Sequence, residues 1–254
     1  MTPPRVDVNC DCGELPAQVA AGVDDQLTRT VTSVNIACGG HAGDEVSMTR
    51  LVRVAKVTGT RIGAHPSYPD PARFGRVSMK LPDAALRATV REQVERLLAV
   101  CTTEGAILAH IKPHGALYHD CNDATVANIV GEAVIAAVGR DVPLVAAATS
   151  AAREHWQAAG LRVIREAFAD RAYERDGSLR SRSLAGATLQ AAAAAQQAVM
   201  LATQQAVIVE GERVHVPCDT ICVHGDGPDA LTTARAVVHA LRGAGINIVA
   251  WSAS

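Results

Sequence analysis

A chain of 254 residues with 48% hydrophobic content can bury one sizeable core and suits a single α/β domain over 1–254. A formal charge of −2 and 3% aromatic residues exclude a general attraction to nucleic acid and stacking platforms for single strands, so no nucleic-acid partner is expected. Neither Met1–Asp7 nor the alanine-rich Gly186–Val209, broken by Gln190, Gln196, Gln197, Gln204 and Gln205, carries the apolar run of a leader or membrane span, so a cytoplasmic protein without membrane contact is expected.

The first predicted strand, Val6 to Cys10, alternates so that Asp7, Asn9 and Asp11 share one face while Cys10 packs on the other. Asn35 lies on a second strand that runs into Cys38-Gly39-Gly40-His41-Ala42-Gly43-Asp44, and a helix is predicted from Asp44, its cap, to Thr58. A third strand, Arg61 to Pro66, ends in His65. Tyr68 to Met79 then forms a long excursion rich in Pro, Gly and Arg, a candidate lid loop over 66–80. The next helix spans Pro82 to Thr103, with Asp83 as a first-turn acid.

Ala109-His110-Ile111-Lys112-Pro113-His114-Gly115-Ala116-Leu117-Tyr118 is the most informative stretch, because two imidazoles and an ammonium crowd the end of an apolar segment. His110 and Lys112 share a face; Pro113 stops the ladder and turns His114 and Gly115 outward. Helices are predicted for Asp123–Val138 and for Thr149–Ala159, the second capped by Thr149-Ser150. Glu166 and Asp170 alternate along a strand from Arg162 to Asp170, with Phe168 expected to face the helices. A helix from Gly186 to Gln204 leads to a hairpin near 206–217 that turns at Gly211. The last strand, from Thr220, closes with His224-Gly225-Asp226 before a helix from Pro228 to Arg242. Gly59, Gly105 and Gly139 follow helix ends.

Six strands thus end in polar residues, the pattern of an active site at the carboxyl ends of a parallel α/β sheet. Candidate catalytic residues are Asp11, His110, Lys112, His114 and Glu166; candidate substrate- or phosphate-binding residues are Asp7, Asn9, Asn35, His41, His65, Arg76, Asp170, Arg171, His224 and Asp226. Plainer roles stand beside these. Asp7 can hydrogen-bond a neighbouring loop, His41 can simply precede a helix, and Glu166 with Asp170-Arg171 can be an ion pair. His119, His155, His215 and His239 are expected on surfaces or in ordinary packing. The seven cysteines, odd in number and without repeated C-x-x-C pairs, suit a reducing compartment.

Whether a divalent metal binds is open, with Asp11, His41 and His65 as possible ligands; a metal-dependent hydrolase of amides or acetylated sugars is therefore an alternative. Lys112 between His110 and His114 argues against a metal on that pair. A further alternative is a non-catalytic subunit that presents a small acid to a partner. No G-x-x-x-x-G-K-[ST] phosphate loop is present.

The sequence resembles the LamB/YcsF family. The resemblance rests on Asp7-x-Asn9-Cys10-Asp11-x-Gly13-Glu14, Asn35-Ile36-Ala37-Cys38-Gly39-x-His41-Ala42-Gly43-Asp44, Ile62-Gly63-Ala64-His65-Pro66-x-Tyr68-Pro69-Asp70 and Phe74-Gly75-Arg76. It continues through His110-x-Lys112-Pro113-His114-Gly115-Ala116-Leu117-Tyr118, Glu166-Ala167-Phe168-Ala169-Asp170-Arg171-x-Tyr173 and Val223-His224-Gly225-Asp226. Local departures are Leu15-Pro16 after Glu14, Gly40 at a site often aromatic, and Ser67 at one often glycine.

The resemblance implies an irregular seven-stranded (β/α) TIM-like barrel, similar to the glycoside hydrolase/deacetylase barrels. It also implies an ATP-dependent 5-oxoprolinase activity, opening the lactam of 5-oxo-L-proline to L-glutamate with ADP and phosphate, together with two other 5-oxoprolinase subunits. In that chemistry Lys112 and Arg171 would stabilise phosphate or oxyanion charge, Asp11 or Glu166 would accept a proton from water, and His110 or His114 would protonate the departing nitrogen. ATP would be shared with, or bound by, the partner subunits.

Overall fold

The computed structural model describes residues 3–251; Met1, Thr2 and residues 252–254 lie outside them. In chain order the strands are β1 (Arg5–Cys12), β2 (Ser33–Ala37), β3 (Arg61–His65), β4 (Leu108–Ile111), β5 (Leu144–Ala147), β6 (Val163–Phe168), β7 (Ala206–Val209), β8 (Glu212–His215), β9 (Thr220–Val223) and β10 (Asn247–Ile248). Seven of them, β1-β2-β3-β4-β5-β6-β9, form a parallel barrel that closes where Asp7 to Cys10 of β1 pair with Thr220 to Val223 of β9. β10 extends the start of β1, and β7 and β8 form the expected antiparallel hairpin, its turn made by Glu210 and Gly211, both with positive φ.

The helices are α1 (Pro16–Ala21), α2 (Val23–Thr30), α3 (Glu45–Thr58), α4 (Asp83–Glu104), α5 (Gly115–Asp120), α6 (Ala124–Val138), α7 (Ala151–Ala158), α8 (Ala191–Gln204) and α9 (Ala230–Gly243). Their buried stripes follow helical spacing: α4 buries Leu86, Val90, Val94, Leu97 and Cys101 against the sheet. Asp44 caps α3 by accepting the Ser47 N–H at 2.7 Å while the Ser47 hydroxyl accepts the Asp44 N–H at 2.9 Å. Asp123 caps α6 by accepting the N–H groups of Thr125 and Val126.

Along β1, Val6, Val8, Cys10 and Cys12 join the core beneath the helices, which leaves Asp7, Asn9 and Asp11 for the barrel interior. That interior is a polar stack in place of the branched apolar layers usual in such barrels.

Several elements differ from expectation. The seventh barrel strand, β5, is Leu-Val-Ala-Ala and ends in no polar group, so the pattern that marks the other six passes over it. α1, α2 and α5 are short helices filling the β1–β2 and β4–β5 crossovers. The helix expected from Gly186 begins only at Ala191, because the backbone at 187–188 pairs with 171–172. Thr149-Ser150 does not cap α7 with its side chains, since Thr149 donates to the Gly177 carbonyl and Ser150 to the Ala147 carbonyl. Among the described residues no helix is long and apolar enough to cross a membrane, and all seven cysteines are free and buried.

Candidate active site

The polar stack rises in layers from the amino ends of the strands. Asp7 is at the bottom, its carboxylate accepting the hydroxyls of Thr32 and Ser33, both at 2.7 Å, and of Thr220. Asp7 therefore does not reach the carboxyl end of the barrel and is corrected to a buried anchor of β1; burial raises its carboxyl despite three donors.

Above it, the Asn9 amide donates to Glu166 at 3.0 Å and Thr220 at 2.8 Å, and the Asn35 amide donates to Asn9 and Asp11, both at 2.8 Å. His110 Nε2 donates to Asn35 Oδ1 at 2.7 Å. A side chain at Gly63 would occupy the space of the His110 imidazole, so glycine there admits the ring to the interior. Burial, then Lys112, pushes His110 down to about 3, so it is neutral at working pH.

Lys112 is the hinge of the next layer. Its Nζ lies 2.9 Å from Asp11 Oδ1 and 2.9 Å from Glu166 Oε1, and it donates to the Cys222 thiol at 3.3 Å. Burial alone would lower the ammonium, but Asp11, Cys222 and Glu166 together outweigh it and the group is held well above its ordinary range. For Asp11 burial would raise the carboxyl; Lys112 and then His65 reverse this and hold it well below the usual carboxylate range. Glu166 is sealed by Asn9, Lys112 and the Tyr118 hydroxyl, which donates at 2.8 Å.

Three imidazoles converge beside this layer on Glu14. Glu14 Oε1 lies 3.0 Å from His41 Nε2 and 3.1 Å from His114 Nδ1, with His65 Nε2 at 3.8 Å. His41 stacks on His114 at 3.6 Å. Burial would raise Glu14, yet His114 and His41 hold it well below its usual range. His41 is pushed down to about 4 by burial, and His114 is lowered by the same cause. His65, although desolvated, is raised by Asp11. Glu14 stands in the sequence motif with Asp11 but three residues beyond it, past the end of β1, where strand alternation gives no indication of its direction.

A cleft of about 440 Å³ opens onto this floor. Asp11, Glu14, His65, Lys112 and His114 line its depth, and Arg76, Arg171, Arg180, Arg182, His224 and Asp226 its mouth. His110, Glu166, Asn9, Asn35 and His41 do not line it; they support the groups that do. His224 Nδ1 donates to Asp170 at 3.0 Å. Arg76 pairs with Asp226. Arg171, 5% exposed, donates to the Ala187 carbonyl at 3.1 Å and the Arg180 carbonyl at 2.6 Å, and has no carboxylate within salt-bridge distance among the described residues. Burial, then Arg182, lowers it to about 10.

Phe168 is a second correction. It shares even parity with Glu166, so it faces the cleft, stacked on His224 at 5.4 Å with Lys112 Nζ 5.6 Å from its ring. His119 also reaches the rim of the cleft. The metal set Asp11, His41 and His65 is not assembled as such, because Glu14 stands among them: the close groupings are Glu14-His41-His114 and Asp11-Glu14-His65. Nor does Lys112 lie between His110 and His114, since it turns toward Asp11 and Glu166.

The loop 66–80 covers the imidazoles. His114 Nε2 donates to the Phe74 carbonyl at 2.9 Å, the Ala116 N–H donates to the Gly75 carbonyl at 2.9 Å, and the Phe74 ring packs edge-on to His41 and His114. At Gly75, with φ +62°, a Cβ would press on His41, Ser67 and His114 at 3.0–3.2 Å.

Comparison with known proteins matches the chain to the model of the LamB/YcsF family over residues 6–254. The A subunit of a 5-oxoprolinase from Chloroflexus aggregans is 44% identical over 246 residues, covering 96% of this chain and 97% of that one. Its counterpart from Symbiobacterium thermophilum is 42% identical over 247 residues, covering 96% and 94%. The crystal structure of a lactam utilization protein from Thermus thermophilus is similar with a TM-score of 0.90 and 39% identity, over 97% of this chain and all of that one.

Proposed function

Because this chain belongs to the LamB/YcsF family, we propose that it is the A subunit of a cytoplasmic, ATP-dependent 5-oxoprolinase that opens 5-oxo-L-proline to L-glutamate with two partner subunits. The names of its relatives support the substrate, and seven buried free thiols suit a reducing compartment.

The observation that carries the reading is the cleft itself: small, polar, floored by a buried ammonium and rimmed by guanidinium groups. A lactam carbonyl is a poor electrophile. Transfer of the γ-phosphoryl of ATP to its oxygen, with ADP leaving, makes the ring carbon open to water; loss of phosphate and protonation of the nitrogen then complete the cleavage. Lys112 faces the developing negative charge on oxygen. Arg171, buried without a carboxylate partner, and Arg182 receive the phosphate. His224, held by Asp170 as a base is held by its orienting acid, protonates the departing nitrogen. Asp11 orients the water, and the loop 66–80 closes the cleft. His110 and Glu166 support this set from beneath, in place of the direct roles expected from sequence.

The test is glutamate release from 5-oxo-L-proline with and without ATP, by this chain alone and mixed with candidate partner subunits. Release only with ATP and only in the mixture is expected. Absence of release in every mixture overturns the reading. If His224→Asn weakens 5-oxo-L-proline binding and leaves turnover at saturation intact, the subunit presents substrate and performs no chemistry.

A further inference from the structure

His65 Nδ1 lies 2.7 Å from the Lys112 carbonyl, and His114 Nε2 lies 2.9 Å from the Phe74 carbonyl. A carbonyl oxygen only accepts, so each of these nitrogens carries the ring proton. In the neutral rings the remaining nitrogens, His65 Nε2 and His114 Nδ1, carry the lone pairs, and they lie 3.1 Å apart. Two carboxylate oxygens join them: Glu14 Oε1, 3.1 Å from His114 Nδ1 and 3.8 Å from His65 Nε2, and Asp11 Oδ2, 3.6 Å from His65 Nε2. Acceptors this close to one another repel unless something positive lies among them.

The spacing indicates what. Ligands about 2.0–2.1 Å from a tetrahedral ion stand roughly 3.3 Å from one another; His114 Nδ1 lies 3.1 Å from both His65 Nε2 and Glu14 Oε1, Glu14 Oε1 lies 3.8 Å from His65 Nε2, and Asp11 Oδ2 joins the set at 3.6 Å from His65 Nε2. Charge agrees. Asp11, Glu14 and Glu166 are all buried, and the one ammonium among them, Lys112, pairs with Asp11 and Glu166 while Glu14 meets only imidazoles, so the three carboxylates exceed the one fixed cation by two charges. The surroundings are those of metal ligands: each imidazole is fixed through its other nitrogen by a backbone carbonyl, Asp11 Oδ1 is taken by Lys112 and Asn35 so that Oδ2 is free, and Glu14 is held by His41. All four ligands line the cleft, which provides an entry path.

We propose that Asp11, Glu14, His65 and His114 bind one divalent transition-metal ion, zinc or manganese, at the floor of the cleft. Two nitrogens and two carboxylate oxygens suit either ion. An ion there would lie beside Lys112, where it polarises an oxygen entering the cleft. Binding is read without 5-oxo-L-proline or ATP, so its outcome is independent of the oxoprolinase reading.

The full chain, stripped with chelator and dialysed, is titrated calorimetrically with zinc chloride and, separately, manganese chloride, and the metal content of untreated protein is measured by elemental mass spectrometry. One equivalent is expected for at least one ion. Asp11→Asn, Glu14→Gln and His114→Ala should each weaken it by about a hundredfold or more, whereas His215→Ala, on the exposed hairpin, leaves it intact. Circular dichroism identifies any variant that fails to fold, and the isosteric pair then decides. No saturable binding, or binding unaltered in the folded site variants, overturns the proposal and assigns the point between the imidazoles to a shared proton.

Discussion

Replacing Lys112 by methionine tests whether the barrel interior is organised around one ammonium. Lys112 is 3% exposed and meets Asp11 and Glu166 at 2.9 Å each, so Lys112→Met leaves two carboxylates buried without their cation. Breaking a buried pair from one side costs about 3–5 kcal/mol, which in a chain of this size lowers Tm by about 10 °C. The loss should depend on pH. In the parent, burial would raise the Asp11 carboxyl but Lys112, His65 and His224 together outweigh it, so its folded-state value lies below the unfolded one; the stabilisation it contributes is present above the unfolded value and fades only as pH falls toward the folded one. Without Lys112 the largest effect opposing burial is gone. Asp11 then takes up a proton more readily in the folded state, and acid relieves the variant. Urea unfolding at pH 8, 6.5 and 5 should show a deficit largest at pH 8 that narrows toward pH 5, and adding Asp11→Asn should recover part of it. A deficit under about 1 kcal/mol at pH 8, or one no smaller at pH 5, would refute the reasoning.

Three further outcomes are expected. In the reconstituted complex His224→Asn should lower kcat by about 10²–10⁴-fold as the loss of a general acid does, while His110→Asn, beneath the cleft floor and held neutral, should stay within about tenfold of the parent and leave the pH–rate profile unchanged. Asp24 is buried with Oδ2 unpartnered, and burial lifts its carboxyl from 3.8 to about 6, so its ionised form at neutral pH opposes folding. Asp24→Asn should therefore raise stability at pH 8 by roughly 2 kcal/mol, a gain that declines as pH falls below about 6 and is gone below about 4, as seen by denaturant titration at each pH. A Cβ at Gly225 would collide with the Asp11 backbone carbonyl; Gly225→Ala should cost about 1–3 kcal/mol and lower turnover by displacing Asp11, measured by thermal unfolding and glutamate release.

Much of the site was legible because strand alternation is local. Asp11, Lys112, His65 and His224 stand at strand ends with their parity visible in the chain, and each is found at the cleft or beside it. The same rule, followed through, places Phe168 inside with Glu166. It failed for Glu14 and His41, which lie on loops beyond the strands, where direction is set by packing against the loop 66–80. It also could not separate a residue at the bottom of a strand from one at the top: Asp7, Asn9 and Asp11 alternate alike, yet only Asp11 reaches the cleft, because position along the barrel axis depends on the stagger between neighbouring strands.

By itself the sequence determined the alternation of strand and helix, the inward face of each polar strand, the capped helix starts at Asp44 and Asp123, and the motifs that mark the family. These depend on near neighbours and on backbone sterics. Which groups meet was decided only by closure of the barrel and by the covering loop: Lys112 lies between carboxylates from β1 and β6, more than fifty residues away on either side, and the carbonyls of Lys112 and Phe74 orient two imidazoles so that their other nitrogens face each other at 3.1 Å. A side chain's partner across a barrel follows from register and stagger, which no local pattern encodes.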